Sequence, residues 1–117
     1  MRQHSRVVFR PANRLQLLER ASGEPLGLIA DLSLGGLRLI AEGELVSGAC
    51  LQASIEVPVR EGRYRLVEVD LVCQWSRRAG RAGRYEQGFA LAAPAPAFVE
   101  LVASLKATQS LSRSLKV

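Results

Sequence analysis

The sequence predicts an all-β fold with a C-terminal helix, in the form of a six-stranded antiparallel split β-barrel. Two observations support this prediction. Six short segments that read as β-strands follow one another at fairly regular spacing, most of them bounded by turn residues. After Pro94 and Pro96 the apolar period changes to that of a helix, which would cover a small closed barrel as a lid.

The first half of the chain supplies three of these strands. Leu15 and Leu17 alternate with polar residues, and the Ser-Gly-Glu-Pro segment at 22–25 is a turn signal. Residues 26–30 form the second strand. Alternating apolar residues in 37–41 predict the third.

The fourth and fifth strands are predicted to form a hairpin. Apolar residues, Val59 among them, alternate over 51–59, which predicts a strand with one buried face. Pro58 requires an edge or a bulge, and residues 60–63 form the turn. The fifth strand has the clearest pattern in the chain, and this pattern predicts that its apolar face, Trp75 included, lies in the core. The members of that face are Val67, Val69, Leu71, Cys73 and Trp75.

The last strand and the helix complete the fold. A Gly- and Arg-rich loop at 76–84 precedes a sixth strand at 85–91. Beyond it, apolar residues at i, i+3, i+4 and i+7 predict an amphipathic helix that starts just after a proline. Its apolar face consists of Phe98, Leu101, Val102 and Leu105.

Length and composition indicate one domain of 117 residues, with a flexible arm at 1–11, the barrel at 12–93 and the helix and tail at 94–117. No apolar run is long enough to span a bilayer and no secretory signal is visible, so we expect a cytoplasmic protein without membrane insertion. Cys50 and Cys73 are expected to be buried free thiols. The net charge of +5 makes an anionic partner plausible. Most of the basic residues are arginines, whose planar guanidinium can form bidentate hydrogen bonds to phosphate.

Two short motifs carry the functional prediction. Arg2-Gln3-His4-Ser5-Arg6 has the form RxxxR, and Asp31-Leu32-Ser33-Leu34-Gly35-Gly36 has the form DxSxxG. Either motif alone is weak, because RxxxR arises by chance in an Arg-rich chain. Together, in this order and spacing, they resemble the signature of PilZ domains, six-stranded antiparallel barrels with a C-terminal helix that bind cyclic di-GMP. The resemblance covers nearly the whole chain.

The chemistry of cyclic di-GMP suits the motif residues. Arg2 and Arg6 can supply bidentate hydrogen bonds to phosphate or to the guanine O6/N7 edge, and in the family the matching arginines clamp the ligand. The Asp31 carboxylate can accept two guanine N–H groups, although an Asx turn is an alternative role. Ser33 can donate to a phosphate or brace the turn. Gly36 permits a positive φ and leaves room for the ligand.

Four further residues are weaker candidates for contact with the ligand. His4 could stack on a base, and Arg10 could add attraction or reach a second nucleotide. Gly35 could share the role of Gly36, although turn formation is its simpler explanation. Gln3 stands where many family members carry an additional arginine, which leaves open whether one nucleotide or a stacked pair is bound.

The resemblance implies a cytoplasmic receptor, not an enzyme, with no metal and no cofactor beyond its ligand cyclic di-GMP. Ligand binding would order the arm and signal to an unidentified effector protein that controls motility, biofilm or virulence. One alternative is a PilZ-fold adaptor that binds proteins and has little affinity for nucleotides. A nucleic-acid-binding barrel that uses the Arg77–Arg84 loop is a second, weaker alternative. The sequence leaves open whether the protein is a monomer or a homodimer.

Overall fold

A computed structural model describes residues 6–80 and 83–115 of the chain, with side chains described up to residue 109. The strands and helices follow the predicted order, with one short strand added at the N-terminus. They are β1 (Val7–Val8), a 3-10 turn (Pro11–Asn13), β2 (Leu15–Glu19), β3 (Pro25–Ser33), β4 (Gly36–Ala41), β5 (Cys50–Arg60), β6 (Arg63–Arg78), β7 (Tyr85–Leu91) and α1 (Pro96–Leu115).

The predicted six-stranded antiparallel barrel is confirmed. Strands pair in the order β3-β2-β5-β6-β7-β4, and a β3–β4 pairing closes the ring. Every pairing is antiparallel. The added strand β1 lies within the predicted arm and pairs with β3, where Val7 faces Leu32 and Val8 faces Asp31.

Apolar side chains from all six barrel strands fill the interior, and α1 packs against them. Phe98, Leu101 and Val102 of the predicted apolar helix face are buried, and Leu105 is partly buried. Burial of a side chain as large as Phe98 stabilises the fold by about 1.5–3 kcal/mol. The helix contacts β6 and β1, so it packs against the strand that the arm itself forms.

The barrel has two different ends, which we call the open end and the helix end. At the open end lie the connections 20–24 and 42–49 and the described residues 79–80 and 83–84 between β6 and β7. At the helix end lie the turns 34–35 and 61–62 and the connection 92–95 that leads to α1.

Three predictions of burial are wrong. Trp75 is 39% exposed, because a β-bulge between Cys73 and Trp75 reverses the alternation of β6. Cys50 is exposed, since it precedes Leu51 and so falls on the opposite face of the strand, whereas Cys73 is buried as predicted. Val59 is exposed because the β5–β6 hairpin continues past the barrel. As expected for Pro58, the register of this hairpin shifts there.

Candidate functional site

Two β-bulges direct the side chains of Asp31 and Trp75 to the outer face of the barrel. The bulge between Ile29 and Asp31 turns the Asp31 side chain outward, although Ile29 points into the core. The bulge before Trp75 does the same for the indole. Bulges re-aim side chains in this way and are common beside functional sites. In a regular strand both residues would face inward.

The strand register aligns these two side chains in one row. Asp31 of β3 faces Arg38 of β4, Arg38 faces Gly88 of β7, and Gly88 faces Trp75 of β6. Residues directly opposite each other in a sheet share a face. The row therefore crosses four adjacent strands, with a carboxylate and an arginine at one end and an aromatic ring at the other.

Two arginines hold the Asp31 carboxylate. Its Oδ1 accepts a hydrogen bond from Arg6 Nη1 at 2.5 Å, and its Oδ2 accepts one from Arg38 Nε at 2.7 Å. The Asp31 side chain is only 6% exposed, so these charge-assisted bonds compensate a charge that is largely removed from water. Because Arg6 belongs to the arm, the carboxylate ties the arm to the barrel.

The ion pairs continue beyond Asp31 across the outer face. Arg38 Nη1 donates to Glu86 Oε2 at 2.5 Å, and Arg77 Nη2 donates to Glu86 Oε1 at 3.1 Å. We call the series Arg6–Asp31–Arg38–Glu86–Arg77 the ion-pair chain. Its three arginines and two carboxylates leave one positive charge in excess, which favours an anionic ligand.

The ion-pair chain shifts the pKa values of two members. The hydrogen bond to Asp31 is the main cause that raises the pKa of Arg38, and burial opposes it. Burial of Glu86 would raise its pKa, but the hydrogen bonds from Arg38 and Arg77 outweigh this effect, so the pKa is lowered. Both groups are therefore charged at neutral pH.

The arm is attached to the barrel at several points around Arg6. Val7 is fully buried, and the backbone N–H of Phe9 donates to the carbonyl of Ala30 at 3.0 Å. From the other side, Gln109 Nε2 of α1 donates to the carbonyl of Val8 at 3.2 Å. The arm thus contacts both β3 and the C-terminal helix.

Trp75 was missed by the sequence prediction, which assigned it to the core. Its indole lies directly over Gly88, where a Cβ atom would overlap the ring nitrogen. The Arg77 guanidinium lies 5.4 Å from the centroid of the ring, in the geometry of a cation–π pair. Because glycine has no side chain, position 88 leaves room for the indole to pack directly against the backbone of β7.

The DxSxxG residues after Asp31 form the turn at the helix end. Ser33 is buried at the end of β3, opposite Gly36 at the start of β4. Gly36 does not adopt the left-handed conformation suggested for it. A Cβ atom there would overlap the backbone carbonyl of Phe89, so glycine is needed because β7 approaches β4 closely.

The structure brings together only some of the predicted residues. Arg6 and Asp31 are in contact, and Gly35 lies in the turn beside Ser33 and Gly36. Arg10 is exposed before the 3-10 turn. The predicted contacts of Arg2, Gln3 and His4 lie outside the described residues. Sequence reasoning did not identify Arg38, Glu86 or Arg77 as site residues, because only the register reveals that they are neighbours.

Comparisons with known proteins show the fold. No family model and no curated protein matches the sequence. The structure is similar to the inhibitor of motility MotI/DgrA of Bacillus subtilis, with a TM-score of 0.72 and 18% identity over 95% of this chain. The match spans about half of that protein (51%). It is also similar to the PilZ domain of YcgR from Escherichia coli, solved with c-di-GMP, with a TM-score of 0.58 and 20% identity over 99% of this chain and 98% of that one. The chain therefore has the PilZ fold.

Within the part of the chain that the structure describes, no helix combines the length and the apolar character needed to cross a membrane.

Proposed function

We propose that this PilZ-fold chain is a receptor for cyclic di-GMP, which it binds on the outer face of β3, β4, β7 and β6. One observation carries the proposal. The arm arginine of the RxxxR motif and the aspartate of the DxSxxG motif, Arg6 and Asp31, are in direct contact although they belong to separate segments. Two motifs that are weak in isolation thus contribute to a single site.

The arginines of the ion-pair chain suit the charge and shape of the ligand. Arg38 uses two of its five N–H donors for Asp31 and Glu86, and Arg6 uses one for Asp31, among the described residues. The remaining donors can form bidentate bonds to a phosphodiester or to the O6/N7 edge of guanine. Because both side chains are about one third exposed, they can reach the ligand without unfolding the site.

Asp31 has a different role in the proposal, as the acceptor for guanine N–H groups. Both of its oxygens are engaged by arginines. Ligand binding would therefore exchange partners: Arg6 moves from the carboxylate to the nucleotide, and the guanine edge takes its place on Oδ1. Such an exchange keeps the buried carboxylate paired in both states, which avoids the cost of an isolated buried charge.

Trp75 offers an aromatic surface for one of the guanines. Its indole is partly exposed and lies in the same cross-strand row as Asp31 and Arg38. A base stacked on an aromatic side chain gains about 1–3 kcal/mol. Arg77, whose guanidinium lies over the ring in this structure, would move off it to make room for the base and then extend the stack or bind a phosphate. Arg2, Ser33 and Gly36 remain predicted members of the site, with Gly36 acting through strand packing.

The proposed output depends on the arm. β1 pairs with β3 and accepts a hydrogen bond from Gln109 of α1. A movement of Arg6 and β1 would therefore change the contact between the arm and the helix. A protein partner could read the change in either element. One structural neighbour is itself an inhibitor of motility, which makes motility the first process to examine for this chain.

The single tryptophan of the chain provides a direct test. We expect cyclic di-GMP to change the Trp75 fluorescence in a saturable manner at micromolar concentrations, whereas GMP does so only at much higher concentrations. Trp75→Phe should retain part of the stacking and weaken binding measured by calorimetry. Absence of both a fluorescence change and a shift in melting temperature at millimolar ligand would refute the proposal.

A second candidate function is that of a protein-binding adaptor with little nucleotide affinity. One observation favours it: Tyr64 and Leu66 share one face of the β5–β6 hairpin, which extends beyond the barrel, and each is more than half exposed. Exposed apolar clusters often mark protein contacts. A folded wild type that fails the fluorescence test would make this the leading function.

A further inference from the structure

The β5–β6 hairpin continues past the barrel at the helix end. β2 pairs with β5 only as far as Glu56, and β7 pairs with β6 only from Leu71 onward. One further bond follows, in which the backbone N–H of Ala92 donates to the carbonyl of Asp70 at 2.8 Å. Among the described residues, the hairpin segment 57–69 therefore has no neighbouring strand on either of its outer edges.

The edge of β6 in this segment presents free backbone groups. Successive residues of a strand direct their N–H and C=O groups to opposite sides, and the carbonyl of Asp70 points away from β5 toward Ala92. Because the register has no shift between Asp70 and Tyr64, the backbone groups of Glu68, Leu66 and Tyr64 point the same way. These groups have no hydrogen-bond partner in the described part of the chain. The three side chains are exposed, so α1 does not cover them.

The opposite edge of the hairpin, formed by β5, is closed by a proline. Pro58 lies opposite Tyr64, so its nitrogen faces outward and has no N–H to donate there. A proline at an exposed edge protects the sheet against pairing with another chain. The sequence of β6 has no proline at 63–69. Of the two edges, that of β6 is therefore the one open to a further strand.

The two faces of the projecting hairpin differ in chemistry. Tyr64 and Leu66 share the outer face, and each is more than half exposed. Three exposed arginines share the other face, because Arg60 lies directly opposite Arg63 and Arg65 is two residues further along β6. A strand added beside β6 would thus meet an apolar face and a basic face.

The basic face has no counter-charge of its own. Like charges directly opposite each other destabilise a sheet, and Arg60 and Arg63 stand in this relation beside the two-residue turn. None of the three arginines forms an ion pair with a carboxylate among the described residues. An acidic partner would remove this repulsion. A second copy of the hairpin would instead bring three more arginines to it.

We propose that the β6 edge at 63–69 binds an extended segment of a partner protein in which acidic and apolar residues alternate. The added strand pairs with the free backbone groups of β6. Its apolar side chains lie beside Tyr64 and Leu66, and its carboxylates lie beside Arg63 and Arg65. In this mode of recognition the backbone bonds supply affinity and the alternating side chains supply specificity.

This surface is separate from the proposed nucleotide site. Leu66 stands nine positions before Trp75 in the same strand, a distance of about 30 Å. Binding at the β6 edge therefore needs no nucleotide. Failure of either proposal leaves the other standing.

Three short peptides with blocked termini test the proposal on the wild-type chain without nucleotide. Glutamate and valine alternate in the first, and lysine replaces glutamate in the second. The third is the first with N-methylated valines, which keeps the side chains but removes the backbone donors that face β6. In a titration followed by amide chemical shifts, the first peptide should give saturable shifts at 63–69. The other two should bind at least about tenfold more weakly.

Equal binding of the lysine peptide would overturn the acidic partner, and equal binding of the N-methylated peptide would overturn the added strand. No saturable shift in the wild type at about 5 mM of the first peptide would refute the site. Broadening of the signals of 63–69 that grows with protein concentration alone would also refute the proposal, because a second copy would then occupy the edge.

Variants of β6 locate the binding. The double variant Arg63→Glu with Arg65→Glu should weaken the first peptide at least about tenfold and should bind the lysine peptide in its place. Arg78→Glu is the matched control, since Arg78 is an exposed arginine at the other end of the same strand. It should leave both affinities unchanged. Equal losses in the double variant and in Arg78→Glu would show that net charge, and not this edge, attracts the peptide.

Discussion

Arg6 and Asp31 stand 25 positions apart in the sequence and are joined by an ion pair of 2.5 Å between Nη1 and Oδ1. The pairing of β1 with β3 brings them together, since Val8 lies opposite Asp31. The carboxylate that attaches the arm is thus the one that the proposal assigns to ligand recognition. A ligand that competes for Asp31 would necessarily act on the arm.

Asp31→Asn should lower the free energy of unfolding by about 2 kcal/mol, the value of charge-assisted hydrogen bonds lost at a buried carboxylate. Denaturant unfolding at neutral pH measures this change. Asp70→Asn is the matched control: Asp70 also accepts from an arginine, Arg20, but its side chain is 41% exposed. That variant should lose less than about 1 kcal/mol. Equal losses in the two variants would contradict the buried role of Asp31.

Gly36→Ala should destabilise the barrel by about 1–3 kcal/mol, because the added methyl group meets the Phe89 backbone and forces β4 and β7 apart. Gly43→Ala is the control, since a Cβ atom at position 43 has open space and the backbone has no positive φ. Its stability should change by less than about 0.5 kcal/mol. Equal melting temperatures for Gly36→Ala and Gly43→Ala would show that glycine is not needed at position 36 for the packing of β4 against β7.

Glu86→Gln should reduce stability at neutral pH but not in acid. The pKa of Glu86 is lowered in the folded protein, so its ionised form stabilises the fold above the unfolded pKa of about 4.3. That contribution is lost as the pH falls through the lower, folded pKa. The difference in unfolding free energy between wild type and variant should therefore be constant above about pH 6 and shrink below about pH 4. A difference that does not change with pH would rule out the paired carboxylate.

Cys50 and Cys73 should differ sharply in their reaction with iodoacetamide. Cys50 is exposed, whereas Cys73 is buried and burial raises the pKa of its thiol. Because the thiolate is the reactive form, Cys73 should react only when the chain unfolds. Mass spectrometry of the native protein should find one modified cysteine, at position 50, and both should be modified in denaturant. Rapid modification of Cys73 in the native protein would contradict its burial.

Periodicity was sufficient to predict the barrel. The alternation at Leu37 and Leu39 and at Val67 and Val69 predicts strands with one buried face, and the spacing from Phe98 predicts the helix. These patterns are local, so the chain displays them directly. The pair of motifs also indicated the fold that the comparisons show.

The outer face could not be predicted in the same way. Whether Arg38, Glu86 and Arg77 meet depends on the register of three strands, and register is a relation between distant segments. A single inserted residue decides where Trp75 points, and no local signal in the sequence marks that bulge. Likewise, the requirement for glycine at Gly36 comes from the Phe89 backbone, which is far away in the sequence.

Calorimetric titration of cyclic di-GMP into the wild type, Arg6→Ala and Arg63→Ala tests the central claim most directly. Arg63 is the control, an exposed arginine at the start of β6, in the hairpin turn region far from Asp31 in the register. The account predicts saturable binding by the wild type and by Arg63→Ala, and binding roughly 10- to 100-fold weaker for Arg6→Ala. Equal affinities for the two variants, or no heat from the wild type at millimolar nucleotide, would contradict it.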